Sequence, residues 1–155
     1  MERGVMNCIG LRVEPKSVTF AVYDSGEGAI TNIEKLNVPL ALETPEKLKF
    51  IRSNILDIFR EFEITRVGIK ITEPTSQHLN ILRLQIEGVI QEAIASSGVD
   101  YYYTGHISTI SAKLGFPRAN FKKYIENELE YDVENWGELI PVQKEAVFAA
   151  MGAAL

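Results

Sequence analysis

The chain is poor in the residues that most often build metal, disulfide and redox sites. It has one cysteine, one tryptophan and two histidines in 155 residues. The single cysteine, Cys8, excludes an internal disulfide and a cysteine-rich zinc site. It lies in an apolar run, which assigns it a small buried place in the core. His78 and His106 stand far apart, with no acidic neighbours at ligand spacing, which argues against zinc. No apolar run approaches the roughly 18 residues of a membrane span. The N-terminus lacks the apolar stretch of a secretory signal, so the expected location is cytoplasmic, away from membranes. Met1 to Val5 reads as a short leader, with Met6 as an alternative start. Positive charge is also in deficit: 16 Lys and Arg stand against 21 Asp and Glu, for a net charge of -5. That disfavours a domain that binds nucleic acid by neutralising phosphates over its whole surface.

What is present is the make-up of one ordinary globular domain spanning residues 1–155. The hydrophobic fraction is 46% and the charged fraction 24%, enough to bury a real core. Met6 to Val13 reads as a strand. Glu14-Pro15-Lys16-Ser17 is a turn, and Val18 to Tyr23 is a second strand with Val18, Phe20 and Val22 on one face. Asp24 to Gly28 is a turn, and Ile30 to Val38 a third strand. With Thr44 as N-cap and Pro45 at the first helical position, Leu48, Ile51, Ile55, Ile58, Phe59 and Phe62 recur at helical spacing. Thr65 to Ile71 is a buried fourth strand. A second helix carries Leu79, Leu82, Ile86, Val89, Ile90, Ala93 and Ile94, with a cap offered by the Glu73-Pro74-Thr75-Ser76 break. Val99 to Tyr103 is a fifth strand. Beyond it, Ser108 to Lys113 reads as one helical turn, Ala119 to Leu129 as a helix, Tyr131 to Glu138 as an acidic loop, and Pro141 to Leu155 as a final helix. Ala146, Ala149, Ala150 and Ala153 would let that helix approach the sheet closely. The order β-β-β-α-β-α-β-α predicts an α/β domain with a five-stranded mixed sheet and flanking helices.

Several segments resemble RuvC-like Holliday-junction resolvases and their YqgF relatives, which have a ribonuclease H-like fold. Ile9-Gly10-Leu11 and Val18-Thr19-Phe20-Ala21-Val22 are similar to their first hairpin. Arg83-Leu84-Gln85-Ile86-Glu87-Gly88 resembles the start of the helix after their fourth strand. Ser111 to Gly115 with Lys122-Lys123-Tyr124-Ile125 resembles their glycine- and lysine-containing segment after strand five. Gln143 to Ala150 resembles their final helix, which carries acidic ligands. Cys8-Ile9-Gly10, Gly68-Ile69-Lys70 and Gln143 to Leu155 also resemble a family of small uncharacterised bacterial proteins. The likeness implies a ribonuclease H-like domain with little direct indication of function.

The catalytic members hold two divalent cations on three or four carboxylates. The first would lie at the end of strand one. Matching Ile9-Gly10-Leu11 directly puts Arg12 there; matching Glu14-Pro15 to the family's Asp-Pro puts Glu14 there. Residues 12 and 14 share a strand face, and Glu14 also reads as a solvated turn residue. The second carboxylate is replaced by Lys70. A lysine on a central strand needs a partner: Glu14 or Glu145 would close the site with a salt bridge, or a phosphate or other anion would meet it. From the last helix Glu145 alone remains. Glu73 reads as a loop residue before Pro74. The expectation is a degenerate site of Arg12, Glu14, Lys70 and Glu145, with no resident metal and no cofactor. Mg²⁺ or Mn²⁺ enters only if Glu14, Glu145 and Glu73 have rearranged into a working nuclease.

Lys113, Arg118, Lys122 and Lys123, interleaved with Phe116, Phe121 and Tyr124, form the one basic cluster. They are weak candidates for binding nucleic acid, since Glu126, Glu128, Glu130, Asp132 and Glu134 follow at once and cancel the charge. The leading expectation is a non-catalytic binding or accessory module for a protein partner or structured nucleic acid. The alternatives are a metal-dependent nuclease acting on structured DNA or RNA, and a homodimer formed through the helix at 79–94, as the resolvase resemblance implies.

Overall fold

The computed structural model describes residues 6–155; the leader reading of residues 1–5 lies outside the described residues. Three strands come first: β1 (Asn7–Val13), β2 (Ser17–Asp24) and β3 (Ala29–Asn37). Then follow α1 (Thr44–Glu61), β4 (Ile64–Lys70), α2 (Ile81–Ser96), β5 (Tyr101–Gly105), α3 (Ile107–Leu114), α4 (Arg118–Ile125) and α5 (Pro141–Ala153). The strands form one mixed sheet in the order β3-β2-β1-β4-β5. The β1-β2-β3 meander is antiparallel. β1, β4 and β5 run parallel, because helices return the chain to the same end between them.

Period-two alternation divides the side chains between two cores. Ile9, Leu11, Val18, Phe20, Val22, Val67 and Ile69 pack under α1 and α2, against Ile51, Ile55, Phe59, Ile86 and Ile90. Cys8, Ala21 and Tyr103 face the other way and pack with α3, α4 and α5. Here the sheet is notched. Gly10 and Gly68 are register partners on adjacent strands. A Cβ on Gly10 would lie 2.0 Å from the Ala146 carbonyl oxygen, and one on Gly68 would lie 2.4 Å from that of Ala149. The small residues of α5 therefore bring its backbone directly onto β1 and β4, and the Tyr103 hydroxyl donates to the Ala149 carbonyl at 2.8 Å.

Most strand limits lie within a residue or two of the sequence reading. β5 is shifted, to 101–105 instead of 99–103: the Asp100 amide already bonds the Thr65 carbonyl at 2.8 Å, and pairing starts with Tyr101 opposite Arg66. α1 is capped by Glu43, with Thr44 inside the helix. α2 begins later than the Leu79 register implies. Its cap is Asn80, whose side chain accepts from the Arg83 amide at 2.9 Å, the usual role of an N-cap carbonyl. α3 is a full two-turn helix ended by Gly115 at φ 81°, a left-handed cap that glycine adopts without strain. α4 stops at Ile125, four residues before Leu129, where Asn127 takes φ 63°. The Lys144 ammonium closes that end by donating to the Ile125 carbonyl at 3.0 Å and to Asn127 Oδ1 at 2.7 Å. The acidic loop holds a 3₁₀ turn, Trp136–Glu138. Its buried indole packs on Phe148 and donates to the Tyr124 carbonyl at 3.1 Å.

Candidate functional site at the ends of β1 and β4

The α5-facing side of the sheet ends in charge. Arg12 and Lys70, the last register partners of β1 and β4, lie side by side just beyond the glycine notch. The Arg12 guanidinium donates to the Lys70 carbonyl at 3.3 Å. Its Nε forms an ion pair with Glu145, which α5 carries to this point one turn into the helix. The seating of α5 on Gly10 and Gly68 thus decides where Glu145 goes.

Lys70 is 2% exposed. Burial lowers the pKa of its ammonium from the usual lysine value; Glu145 opposes the shift, and the neighbouring Arg12 adds to it. Among the described residues nothing forms an ion pair or hydrogen bond with that ammonium. The expectation that Lys70 pairs with Glu14 or Glu145 is therefore corrected: Glu145 is taken by Arg12. Glu14 lies beyond the end of β1 in the exposed turn, where it accepts from the Ser17 hydroxyl at 3.4 Å. Glu73 is a loop residue, and its carboxylate accepts from the Ile107 amide at the start of α3 at 2.7 Å.

Two residues of the Arg83–Gly88 segment that the sequence did not mark as site candidates complete the cluster. Glu87, on α2, is buried, accepting from the Thr72 amide at 3.0 Å and the Thr72 hydroxyl at 2.7 Å. Arg83 lies one turn before it, with Nε 3.4 Å from the Glu87 carboxylate, yet this buried Nε has no hydrogen-bond partner. Burial lowers the Arg83 pKa, with the charge of Arg12 as the next cause. The sequence signal for the pair was its i,i+4 spacing beside the apolar stripe of α2. Cys8 lies further down the same face, its thiol pushed up to about 11 by burial, so it stays protonated and inert.

The basic cluster read from the sequence does not stay together. The Lys113 ammonium donates to the Tyr101 hydroxyl at 2.6 Å and lies over the Tyr103 ring. Arg118, Lys122 and Lys123 remain exposed on α4, and Lys122 has Glu126 at 3.8 Å. Phe116, Phe121 and Tyr124 are packed against Phe148 and cannot offer faces for bases to stack on. On β5, Tyr101 and Tyr103 are packed and Tyr102 is largely exposed.

No protein-family model and no curated relative matches the chain. Solved structures do. It superposes on Thermus thermophilus RuvC in complex with a Holliday junction substrate with a TM-score of 0.68, at 14% identity, over 96% of this chain and 92% of that one. A second T. thermophilus RuvC structure gives 0.59, at 12% identity, over 96% and 98%. The fold is RuvC-like. The yeast mitochondrial Holliday junction resolvase gives 0.58, at 11% identity, over 93% of this chain and 75% of that one. Among the described residues no helix is long and apolar enough to cross a membrane.

The side chains gathered at these strand ends are arranged unfavourably for a divalent metal. Mg²⁺ and Mn²⁺ need several hard oxygen donors converging on one point. Here two cations stand at the strand ends, and Glu145, Glu87 and Glu73 each already hold another donor. Among the described residues no three His, Cys, Asp or Glu side chains come together as a metal-binding group.

Proposed function

We propose that the chain is a non-catalytic RuvC-like domain, a cytoplasmic binding or accessory module related to small uncharacterised bacterial proteins. The observation that carries this reading is the pairing of Arg12 with Lys70 at the ends of β1 and β4, with Glu145 claimed by Arg12. Two adjacent positive charges repel a divalent cation by several kcal/mol at close range and low effective dielectric. The partner is a protein or a structured nucleic acid, the latter suggested by the junction bound to one RuvC neighbour. Titration with Mn²⁺ tests the reading. The wild type should give no binding heat, and Lys70→Glu should gain some, because it restores a carboxylate beside Glu145. Mn²⁺ binding by the wild type, together with cleavage of four-way DNA junctions, would replace the reading with that of an active nuclease.

Self-association is supported by a separate observation. α2 buries Ile86, Ile90, Ala93 and Ile94 inside its own chain, and its opposite face, with Ile81, Leu84, Gly88 and Gln91, is exposed. At its start Ile81 is 75% exposed, near the exposed Leu79 and Leu84 in sequence, and exposed apolar side chains at the head of this face are what a contact with a second copy would cover. Light scattering should show a dimer that Ile81→Glu converts to monomer; a monomeric wild type would end this reading.

A further inference from the structure

We propose that Lys70 and Arg83, with Arg12 beside them, form a binding site for a phosphate-type oxyanion, and that the Glu145 carboxylate partly fills the ligand's role when none is bound. This rests on the non-catalytic reading of the same site.

The argument is one of unmatched donors. Buried polar groups in folded proteins are almost always hydrogen-bonded, and each exception needs a cause. Among the described residues the buried Nε of Arg83 is such an exception, Thr65 Oγ1 being the other; near Arg83 lies the ammonium of Lys70, a residue 2% exposed that no hydrogen bond or ion pair holds. The carboxylates that influence these two side chains are Glu14, Glu73, Glu87 and Glu145. Glu73 is turned to the Ile107 amide, Glu145 to Arg12, and Glu14 lies in the exposed turn; Glu87 is hydrogen-bonded to Thr72 and faces Arg83 Nε only at 3.4 Å. Three cations, Arg12, Arg83 and Lys70, share two paired carboxylates, Glu145 and Glu87, which leaves one positive charge in excess. A metal would add to that excess, whereas an oxyanion would remove it. Phosphate and sulfate carry several acceptor oxygens, enough to serve an ammonium and a guanidinium at once.

The site is also reachable. The side chains of Arg12, Glu145 and Arg83 are each partly exposed, at 12%, 19% and 21%. They form the outer layer, with Lys70 beneath. Glu145 is therefore both cover and competitor: an arriving anion meets Arg12 and Arg83 first, and takes up Lys70 as the Glu145 carboxylate yields.

The test is calorimetric titration with inorganic phosphate at constant ionic strength, with chloride as the control anion, on the wild type, Glu145→Gln and Lys70→Met. The expected result is phosphate-specific binding by the wild type, at least fivefold tighter in Glu145→Gln, and at least tenfold weaker in Lys70→Met. Arg83→Gln should weaken binding as well, which guards against a folding defect in any one variant. A parallel arm with a short single-stranded oligonucleotide separates the two sources of the group. Tighter binding of the oligonucleotide with the same variant ranking makes it a nucleic-acid phosphate, and phosphate alone makes it a free anion. No phosphate binding by either the wild type or Glu145→Gln, or binding that Lys70→Met leaves unchanged, overturns the proposal. The metal titration is independent of this one: absence of both Mn²⁺ and phosphate binding would leave the non-catalytic reading intact and remove only the anion site.

Discussion

Gly10→Ala should cost about 3 kcal/mol or more, near the upper end of overpacking penalties, and lower the melting temperature by roughly 6–12 °C for a chain of this length. The added Cβ would meet the Ala146 carbonyl oxygen at 2.0 Å, the Ala150 amide nitrogen at 2.2 Å and the Ala149 carbonyl carbon at 2.9 Å. All three belong to the backbone of one helix, so no side-chain rotation relieves the clash, and α5 must lift off the sheet. The same helix sits as closely on β4: a Cβ added at Gly68 would lie 2.4 Å from the Ala149 carbonyl oxygen and 2.6 Å from the Tyr103 ring. Since α5 carries Glu145, the same displacement should open the Arg12 ion pair. Gly88→Ala is the matched control. A Cβ there meets nothing within 4 Å, the site is helical and exposed, and the change should stabilise by about 0.5–1 kcal/mol. Urea midpoints at unchanged slope measure both. A Gly10→Ala change within about 0.5 kcal/mol of wild type, the usual range for surface substitutions, would mean that α5 does not sit in the notch.

Much of this architecture was legible because local chemistry and tertiary demand agree. Val18, Phe20 and Val22 alternate in the sequence and occupy one core in the fold. The alanines of the last helix announced a close approach, and the structure supplies the two glycines that receive it. What stayed hidden depends on partners distant in sequence. Arg12 was one of two candidates for the end of β1, and only its pairing with β4 places it beside Lys70. That pairing, together with the position of α5, transfers Glu145 from the lysine to the arginine. Arg83 and Glu87 entered the sequence reading only as part of a segment resembling a resolvase helix, and their place at the site depends on the Thr72 loop that bonds Glu87. Ala119 to Leu129, read as a helix, and Tyr131 to Glu138, read as an acidic loop, converge with Phe116 on Phe148 through Phe121, Tyr124, Tyr131 and Trp136. No periodicity within the segment reveals a shared target on another helix.

Lys70→Met should make the protein more stable at neutral pH, by about 1–2 kcal/mol, as apolar replacement of buried charge often does. Methionine keeps the length and the apolar stem of lysine, and removes an ammonium that burial penalises and that lies beside Arg12. The pH dependence fixes the sign. In the unfolded chain a lysine holds its proton up to about pH 10.4; in the fold the pKa of Lys70 is lowered. Between the two values the unfolded state binds more protons, so wild-type stability gains from this residue as pH rises through that window. Below the lowered pKa the penalty is present in full. The advantage of Lys70→Met should therefore be largest at neutral pH and shrink toward pH 10. Denaturant midpoints across that range measure it. A less stable variant, or an advantage that grows with pH, would show instead that Lys70 is held as a tight ion pair with Glu145. Phosphate should narrow the neutral-pH gap further, because the wild type binds it more tightly and so gains more of the ligand's stabilisation. An unpaired lysine that lowers the stability of its own sheet is the kind of local conflict that folded proteins keep at sites of function.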